Sequence, residues 1–370
     1  MRSTRKKNKK SEESARKKKT SVTKKSPAPS ERGKKGSKGK LSGRSEKPTK
    51  KGSASSADPS IFDKKAKKPS GPVKEPWPSE EAAKRMVSSG IFKEDTLINE
   101  YKSIGNPKPS PGEIGQFQVN LAKNRNKEWP IADGKLVKFT APPMNYISAA
   151  RVTVPELNRK VIVTQVPDPG VPGQVEDFWR MIFQEECFSV LLASSPPELT
   201  LQQLLPIAMG TFSNHGKMFL NNRKVDVSVS GCTGYNIELL PDGCSNSINV
   251  VVWHLANWKS KKAPETFGDV VGGVEKVLKA TGNICTMSPS GLGRSGSLTL
   301  LLSAMAQLAI PRDPKVKETL EKLRIERSGL IENPEQYVGV YKALAFWIKQ
   351  KASDEGGEMS KKIGEFCPKA

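Results

Sequence analysis

The chain has 370 residues and a formal net charge of +23, and most of that charge lies in residues 1–78. Those residues hold 26 Lys and Arg against 7 Asp and Glu, whereas residues 79–370 hold 35 against 31. The five scattered cysteines form no CxxC pair and the two histidines lack metal-ligand spacing, which argues against a structural zinc site.

The same features predict an intracellular protein, located in the cytoplasm or the nucleus. An odd and small number of cysteines suits a reducing compartment. The first residues, MRSTRKKNKK, lack the apolar region of a signal peptide, and no apolar run is long enough to span a membrane. We therefore expect no transmembrane segment, no metal and no cofactor.

Residues 1–78 are rich in Lys, Ser, Gly and Pro and contain almost no large apolar side chains. Such a segment cannot bury enough surface to offset the entropy of ordering, so it is predicted to be a disordered basic tail. Its runs of lysine suit an electrostatic arm for nucleic acid, an acidic partner or anionic lipid, or a nuclear import signal. A solubilising leader without a specific target is the alternative.

Order is predicted to begin at residue 79, where Ser79 is a plausible N-cap for a first helix. Periodicity then predicts a second helix over 112–125, a buried strand over 159–167, a helix over 173–186 and a buried strand over 187–194. Between 216 and 255, alternating apolar residues separated by Gly, Asn and Pro predict successive antiparallel strands.

The remaining elements are an amphipathic helix over 264–281, a short strand over 283–287 and a helix over 295–310 that is apolar on all sides and therefore central. Two further helices are predicted near 313–326 and 334–350. The pattern indicates one α/β domain over 79–352, followed by a C-terminal tail over 353–370.

The stretch ICTMSPSGLGRSGSL, residues 284–298, has the composition of an anion-binding turn between a strand and a helix. Gly291 and Gly293 allow the backbone N–H groups to point inward, beside the N-terminus of the helix. Arg294 adds a planar guanidinium that can hold two phosphate oxygens. Taken alone, the turn is equally well a tight structural connection.

Six blocks of the sequence resemble the protein tyrosine phosphatase family, in the family's order. SGLGRSG resembles the end of the signature His-Cys-Ser-x-Gly-x-Gly-Arg-Ser/Thr-Gly. The other blocks are NLAKNRN, NYISA, VTQVP, EDFWRMIFQEE and GLIENPEQYVGVYKAL. The resemblance implies a twisted mixed sheet flanked by helices, with phosphate bound by Ser290, Gly291, Leu292, Gly293, Arg294 and Ser295. The basic tail joined to this domain resembles the expanded phosphatase-domain families of nematodes.

Two positions of the resemblance lack the residues that hydrolysis needs. Ser288 replaces the nucleophilic cysteine, and a serine hydroxyl ionises far above neutral pH and needs an adjacent base. Met287 replaces the preceding histidine, and Cys285 lies three residues upstream inside the strand, where we expect a packing role. Ser260 replaces the general-acid aspartate of the mobile loop, a loss that typically lowers the rate by about 10²–10⁴.

The resemblance also assigns ligand recognition to four positions, of which two are altered. Asn126 replaces a tyrosine that lines the phosphotyrosine slot, and Glu332 replaces a glutamine that positions water. Glu128 and Gln336 match the family. In addition, Pro289 removes one N–H donor from the turn.

The sequence therefore predicts a pseudophosphatase that binds a phosphotyrosine protein, another phosphorylated ligand or a protein partner without turnover. Two alternatives stay open: an active or residually active tyrosine phosphatase, and a nucleic-acid-associated or scaffold protein that acts through its tail. Arg294 is interpreted either as a retained phosphate ligand or as a buried structural cation paired with Glu185 or Glu186.

Overall fold

The computed structural model describes residues 77–353 and 356–368. This part of the chain is an α/β domain, as the sequence predicts, and apart from its last two residues the predicted basic tail lies outside it. The strands are β1 (Ala149–Val152), β2 (Val161–Gln165), β3 (Cys187–Ala193), β4 (Phe212–His215), β5 (Met218–Val229), β6 (Cys232–Pro241), β7 (Ile248–Leu255) and β8 (Asn283–Ser288). The helices are α1 (Glu80–Ser88), α2 (Glu94–Ser103), α3 (Gly115–Val119), α4 (Gln174–Gln184), α5 (Gly268–Lys279), α6 (Gly293–Ala309), α7 (Val316–Glu326), α8 (Pro334–Lys351) and α9 (Glu358–Phe366).

The strands form one mixed sheet in the order β1-β2-β8-β3-β7-β6-β5-β4. The four strands β2, β8, β3 and β7 are mutually parallel, with antiparallel strands on both sides of them. β8 lies at the centre of the parallel part, and its last five residues are buried. Since ligands of such sheets bind beyond the carboxyl ends of the strands, the end of β8 at Ser288 is the place to look for a site.

Two hydrophobic cores cover the two faces of the sheet, because successive strand residues point to opposite sides. Ile284 of β8 belongs to the core formed with α5, α6 and α8, whereas Cys285 belongs to the core formed with α4. In the second core Trp179 is fully buried, and its indole N–H donates to the Leu204 carbonyl at 2.8 Å. Cys285 is thus a packing thiol, and burial raises its pKa.

Most of the predicted elements are confirmed. The strands predicted at 159–167, 187–194 and 283–287 are β2, β3 and β8, and those predicted between 216 and 255 are β5 to β7. The helices predicted at 173–186, 264–281, 295–310, 313–326 and 334–350 are α4 to α8. As expected, α6 is buried on all sides: every residue from Gly293 to Leu308 is buried.

The helix predicted over 112–125 is wrong in extent. Only α3 is α-helical there, between short 3-10 turns at Pro111–Glu113 and Leu121–Lys123. Two asparagines account for the break, since Asn120 Nδ2 donates to the Gln116 carbonyl and Asn124 Nδ2 to the Asn120 carbonyl, both at 2.9 Å. Such side chains offer the backbone partners outside the helix.

Four elements, α2, β1, β4 and α9, were not predicted. Of these, α9 lies in the segment 353–370, for which the sequence predicts a C-terminal tail. Met359, Ile363 and Phe366 are buried on the core, and their spacing is that of one helix face. At the other end, Trp77 packs edge-on against Trp347 at 5.4 Å, so the ordered domain includes a residue that was assigned to the basic tail.

The first helix begins where it was predicted, at Glu80, but Ser79 makes no side-chain capping bond. Its hydroxyl is buried without a hydrogen-bond partner among the described residues. Over the same part of the chain, no helix combines the length and the apolar composition that crossing a bilayer requires.

Candidate functional site

The connection from β8 to α6 is a tight turn that only glycine can close. Gly291 has φ of +66°, in the left-handed region, and its N–H donates to the Ser288 carbonyl at 3.0 Å. A Cβ on Gly291 would lie 2.7 Å from the Gln165 backbone nitrogen on β2. The turn is therefore pressed against the neighbouring strand, and an added side chain would require the backbone to move.

Ser288, at the position that the resemblance assigns to the nucleophile, is 1% exposed beneath this turn. Its hydroxyl donates to the Ser295 Oγ at 3.1 Å and accepts the Ser295 backbone N–H at 3.3 Å. Among the described residues, no hydrogen bond joins Ser288 to a histidine, a lysine or a carboxylate. Its proton is thus directed to another hydroxyl rather than to a base.

Neither histidine is placed to activate Ser288. His254, on β7, bonds to the Ser194 Oγ at 2.9 Å, and burial lowers its pKa to about 4. His215, on β4 at the edge of the sheet, is 3.3 Å from the Ser213 Oγ. Both histidines have structural partners of their own.

Arg294 is a buried cation, 4% exposed, and it is held from two sides. Its two terminal nitrogens each donate to one oxygen of Glu198 at 2.7 Å, and Nη1 also donates to the Trp258 carbonyl at 2.6 Å. The pairing with Glu185 or Glu186 considered from the sequence is wrong. Glu185 instead contacts Arg151 at 2.6 Å and Lys160 at 3.7 Å.

Glu198 was missed by the sequence interpretation. Its carboxylate also accepts the backbone N–H and the hydroxyl of Ser195, at 3.0 and 2.7 Å. Burial alone would raise the pKa of Glu198, but the bonds from Arg294 and Ser195 outweigh it and lower the pKa to about 2. The spacing Ser-x-x-Glu from 195 to 198 was the available signal, since that pattern often brings serine and glutamate into reciprocal hydrogen bonds.

The structure brings both Glu332 and Gln336 to the turn, over Gly293. A Cβ on Gly293 would lie 2.3 Å from Glu332 Oε2 and 2.4 Å from Gln336 Nε2, so glycine is required for these side chains to approach. Gln336 is held by its backbone N–H, which donates to the Asn333 Oδ1, and by its Oε1, which accepts the Glu332 N–H. Its buried Nε2 has no hydrogen-bond partner among the described residues.

The segment 256–267, to which the resemblance assigns the general-acid position, contacts Arg294 through the backbone carbonyl of its tryptophan. Trp258 is buried, and its indole N–H donates to the Lys262 carbonyl at 2.8 Å. Ser260 is exposed, two residues beyond the carbonyl that contacts Arg294. Lys261 follows with φ of +58°, and its carbonyl accepts a hydrogen bond from Asn333.

Asn126 and Glu128 have no hydrogen bond or ion pair to the turn in the part of the chain that the structure describes. Asn126 Oδ1 accepts the backbone N–H groups of Glu128 and Trp129, at 3.0 and 2.9 Å, so this side chain stabilises its own loop. Glu128 is exposed and lies 3.8 Å from Lys108 Nζ. The two residues therefore stay predictions as recognition groups.

Comparison with known proteins agrees with this geometry. The family model described as "Protein-tyrosine phosphatase" matches residues 120–346, more than half of the chain. "Putative tyrosine-protein phosphatase C15H7.3" of Caenorhabditis elegans is 43% identical over 293 residues, which are 79% of this chain and 73% of that protein.

More distant matches include a "Receptor-type tyrosine-protein phosphatase" of Caenorhabditis elegans, 23% identical over 64% of this chain and 19% of that protein. "Tyrosine-protein phosphatase non-receptor type 2" of Mus musculus is 23% identical over 66% of this chain and 62% of its own length. The chain belongs to the protein tyrosine phosphatase family.

Proposed function

We propose that this protein is a pseudophosphatase: a tyrosine phosphatase domain that binds a phosphorylated ligand at the turn 288–295 without hydrolysing it. The hydrogen bonding of Ser288 carries the proposal. A hydroxyl that is buried, donates to Ser295 and has no basic partner in the described part of the chain cannot supply the ionised nucleophile that attack on phosphorus needs. Phosphate transfer to the protein is therefore blocked at its first step.

The composition of segment 256–267 supports the same conclusion. The Ser260 hydroxyl is too weak an acid to protonate a leaving phenolate near neutral pH. Its neighbours Lys259 and Lys262 are paired with Glu265 and Glu335. Both halves of the chemistry, attack and leaving-group protonation, then lack their side chains. Restoring only one of them is expected to give little turnover.

Binding is supported by what the turn retains. Arg294 stands at the first turn of a buried helix whose N-terminus favours negative charge. The Arg294 guanidinium is already bonded to Glu198, so a bound phosphoryl group would share this cation with the Glu198 carboxylate. The ligand class that suits such a cradle in this family is a phosphotyrosine protein.

The catalytic part of the proposal is tested with an aryl phosphate. The natural protein and Ser288→Ala should release phosphate at the same background rate, because the hydroxyl does no chemistry. Ser288→Cys combined with Ser260→Asp should recover only part of the activity expected of the family, since Asn126 and Glu332 also differ. Turnover by the natural protein that is lost in Ser288→Ala would refute the proposed lack of catalysis and favour an active enzyme.

The binding part is tested by anisotropy with a phosphotyrosine peptide and its unphosphorylated twin. The natural protein should prefer the phosphorylated peptide, and Arg294→Lys should weaken that preference by about tenfold or more, because lysine cannot form the planar fork. Circular dichroism of the variant checks that it is folded. Equal binding of both peptides to the natural protein would refute phosphate recognition and would favour a scaffold that binds a protein partner.

A second function is proposed for the basic segment 1–78 on its composition alone. Its 26 basic residues against 7 acidic ones favour attraction to nucleic acid or an acidic partner. Affinity for DNA that falls steeply with salt, and that is lost when 1–78 is deleted, is the expected result. Salt-independent binding, or binding that survives the deletion, would contradict it. The small, odd number of cysteines accords with an intracellular location, in cytoplasm or nucleus.

A further inference from the structure

The anion cradle contains a carboxylate of the protein itself. Glu332 Oε2 lies over Gly293, 2.3 Å from the place where a Cβ would be, beside the Gly293 backbone N–H and the Gln336 amide, and both of these groups favour the ionised carboxylate. The same N–H belongs to the ring of donors that the turn offers to a ligand. Glutamate is the residue that this chain has where the family resemblance implies an uncharged glutamine.

Other donors of the turn are also used within the molecule. The Gly291 N–H is bonded to Ser288, the Ser295 N–H is bonded to the Ser288 hydroxyl, and Pro289 has no N–H. Of the side chains, Gln336 Nε2 points to the same glycine without a partner among the described residues. The buried Gln336 amide and the Glu332 carboxylate thus face the same glycine, and the amide favours the ionised form of that carboxylate.

The charges that face Glu332 come from three neighbouring elements. Lys261 approaches from segment 256–267 and Arg294 from α6, and both favour the ionised carboxylate. Tyr101 of α2 lies behind it and donates its hydroxyl to the Ile331 carbonyl. Glu198, beyond Arg294, neutralises that cation from the other side. Two carboxylates, Glu198 and Glu332, therefore face two cations, Arg294 and Lys261, so these four charges leave no excess of positive charge at the cradle.

We propose that Glu332 is an internal occupant of the anion cradle, which a phosphoryl ligand enters only when this carboxylate is protonated or displaced. The inference rests on the proposed function, because it concerns the same site. Glu332 thereby sets the charge that the site accepts: a dianion is repelled while the carboxylate is ionised, and a monoanion is repelled less. Gln336 Nε2 is the donor that becomes available to the incoming oxygen.

The effect of pH follows from the surroundings of Glu332. Burial raises the pKa of its carboxyl, although Lys261, Arg294, the Gly293 N–H and the Gln336 side chain act in the opposite direction. Glu198, whose pKa is lowered to about 2, stays ionised under mild acid. His254 has a pKa lowered to about 4 and keeps its bond to Ser194 there. Mild acidification should therefore open the cradle mainly through Glu332.

The test is calorimetric titration of the full-length protein with sulfate at low ionic strength. Sulfate keeps its two charges throughout mild acid, so a change of affinity with pH reports the protein and not the ligand. The variant is Glu332→Gln, which keeps the shape and removes the charge. The matched control is Glu335→Gln, which removes an exposed carboxylate three residues away that pairs with Lys262.

At about pH 7.5 Glu332→Gln should bind sulfate at least about tenfold more tightly than the natural protein, because a unit charge within a few ångströms is removed. Glu335→Gln should stay within about threefold of the natural protein, as expected of an exposed pair. Moving to about pH 5.5 should tighten binding to the natural protein by several-fold and should change Glu332→Gln by less than about threefold.

Two results would overturn the inference, and they are distinguishable. Sulfate binding that is equal in the natural protein and Glu332→Gln, and equally independent of pH, would show that the carboxylate does not compete, while leaving the phosphate-binding proposal intact. Absence of sulfate binding to Glu332→Gln at both pH values would refute the competition and the proposed anion site together. A thermal melt of each variant establishes that the folded protein is being titrated.

Discussion

The ion pair between Glu198 and Arg294 can be broken at one end with a predictable loss of stability. In Glu198→Gln, Arg294 stays 4% exposed, keeps the Trp258 carbonyl and loses its anionic partner. An unpaired buried charge left in this way typically costs about 3–5 kcal/mol. The fall of the Glu198 pKa from 4.5 to about 2 corresponds independently to about 3 kcal/mol. Because the Glu198 side chain is 23% exposed, we expect a loss of about 3 kcal/mol, near the lower limit.

The assay is urea denaturation of the full-length protein, followed by circular dichroism. The control is Asp313→Asn, which breaks a two-pronged pair of the same kind with Arg85, with both side chains more than half exposed. That pair should contribute at most about 1 kcal/mol. Equal losses in the two variants, or a loss below about 1 kcal/mol in Glu198→Gln, would refute the reasoning that burial makes this pair important.

The same pair predicts how stability changes with acid. The pKa of Glu198 is lower in the folded protein than in the unfolded chain, so its contribution is complete above about pH 4.5. It is lost as the pH falls towards about 2. The stability of Glu198→Gln should therefore fall less steeply over this interval than that of the natural protein. Parallel curves would contradict the assignment of the lowered pKa to Glu198.

Two further substitutions test the scaffold of the site. Gly291→Ala should cost about 1–3 kcal/mol of unfolding free energy in the same denaturation assay, because its Cβ would meet the Gln165 backbone at a positive φ. The control Gly90→Ala, also at positive φ but in open space, should cost less. Equal losses in the two variants would indicate that the contact with Gln165 is unimportant. Phe366→Ala should cost about 3 kcal/mol, because the ring is buried against Phe92 at 5.2 Å, and a negligible loss would contradict the packing of α9 on the domain.

Local sequence patterns predicted most of the fold. Buried strands of four to eight residues and amphipathic helices are encoded by short-range periodicity, so β2, β3, β8 and α4 to α8 were found within a few residues of their ends. The elements that were missed are short or lie at the ends of the domain. β1 has only four residues, and α9 was overlooked because its three apolar anchors stand in a polar segment.

The candidate site, like the fold, was predicted from the sequence only in part. The turn itself, and the approach of Glu332 and Gln336 to it, followed from family blocks whose spacing survives in this chain. The partner of Arg294 did not follow, because Glu198 is 96 residues away and the carboxylates Glu185 and Glu186, at a similar separation along the chain, were equally plausible on composition. An ion pair depends on where two distant segments meet, and that is set by the order of strands in the sheet.

The sequence by itself determined that serine occupies 288 and 260, the two positions to which the family resemblance assigns the reactive groups, and residue identity fixes which groups can ionise near neutral pH. Only the tertiary structure decided what surrounds that turn. In the folded domain the Ser288 hydroxyl donates to Ser295, Arg294 pairs with Glu198, and the Glu332 carboxylate lies over Gly293. The physical reason is that electrostatic interactions act over a few ångströms of space, whatever the separation along the chain.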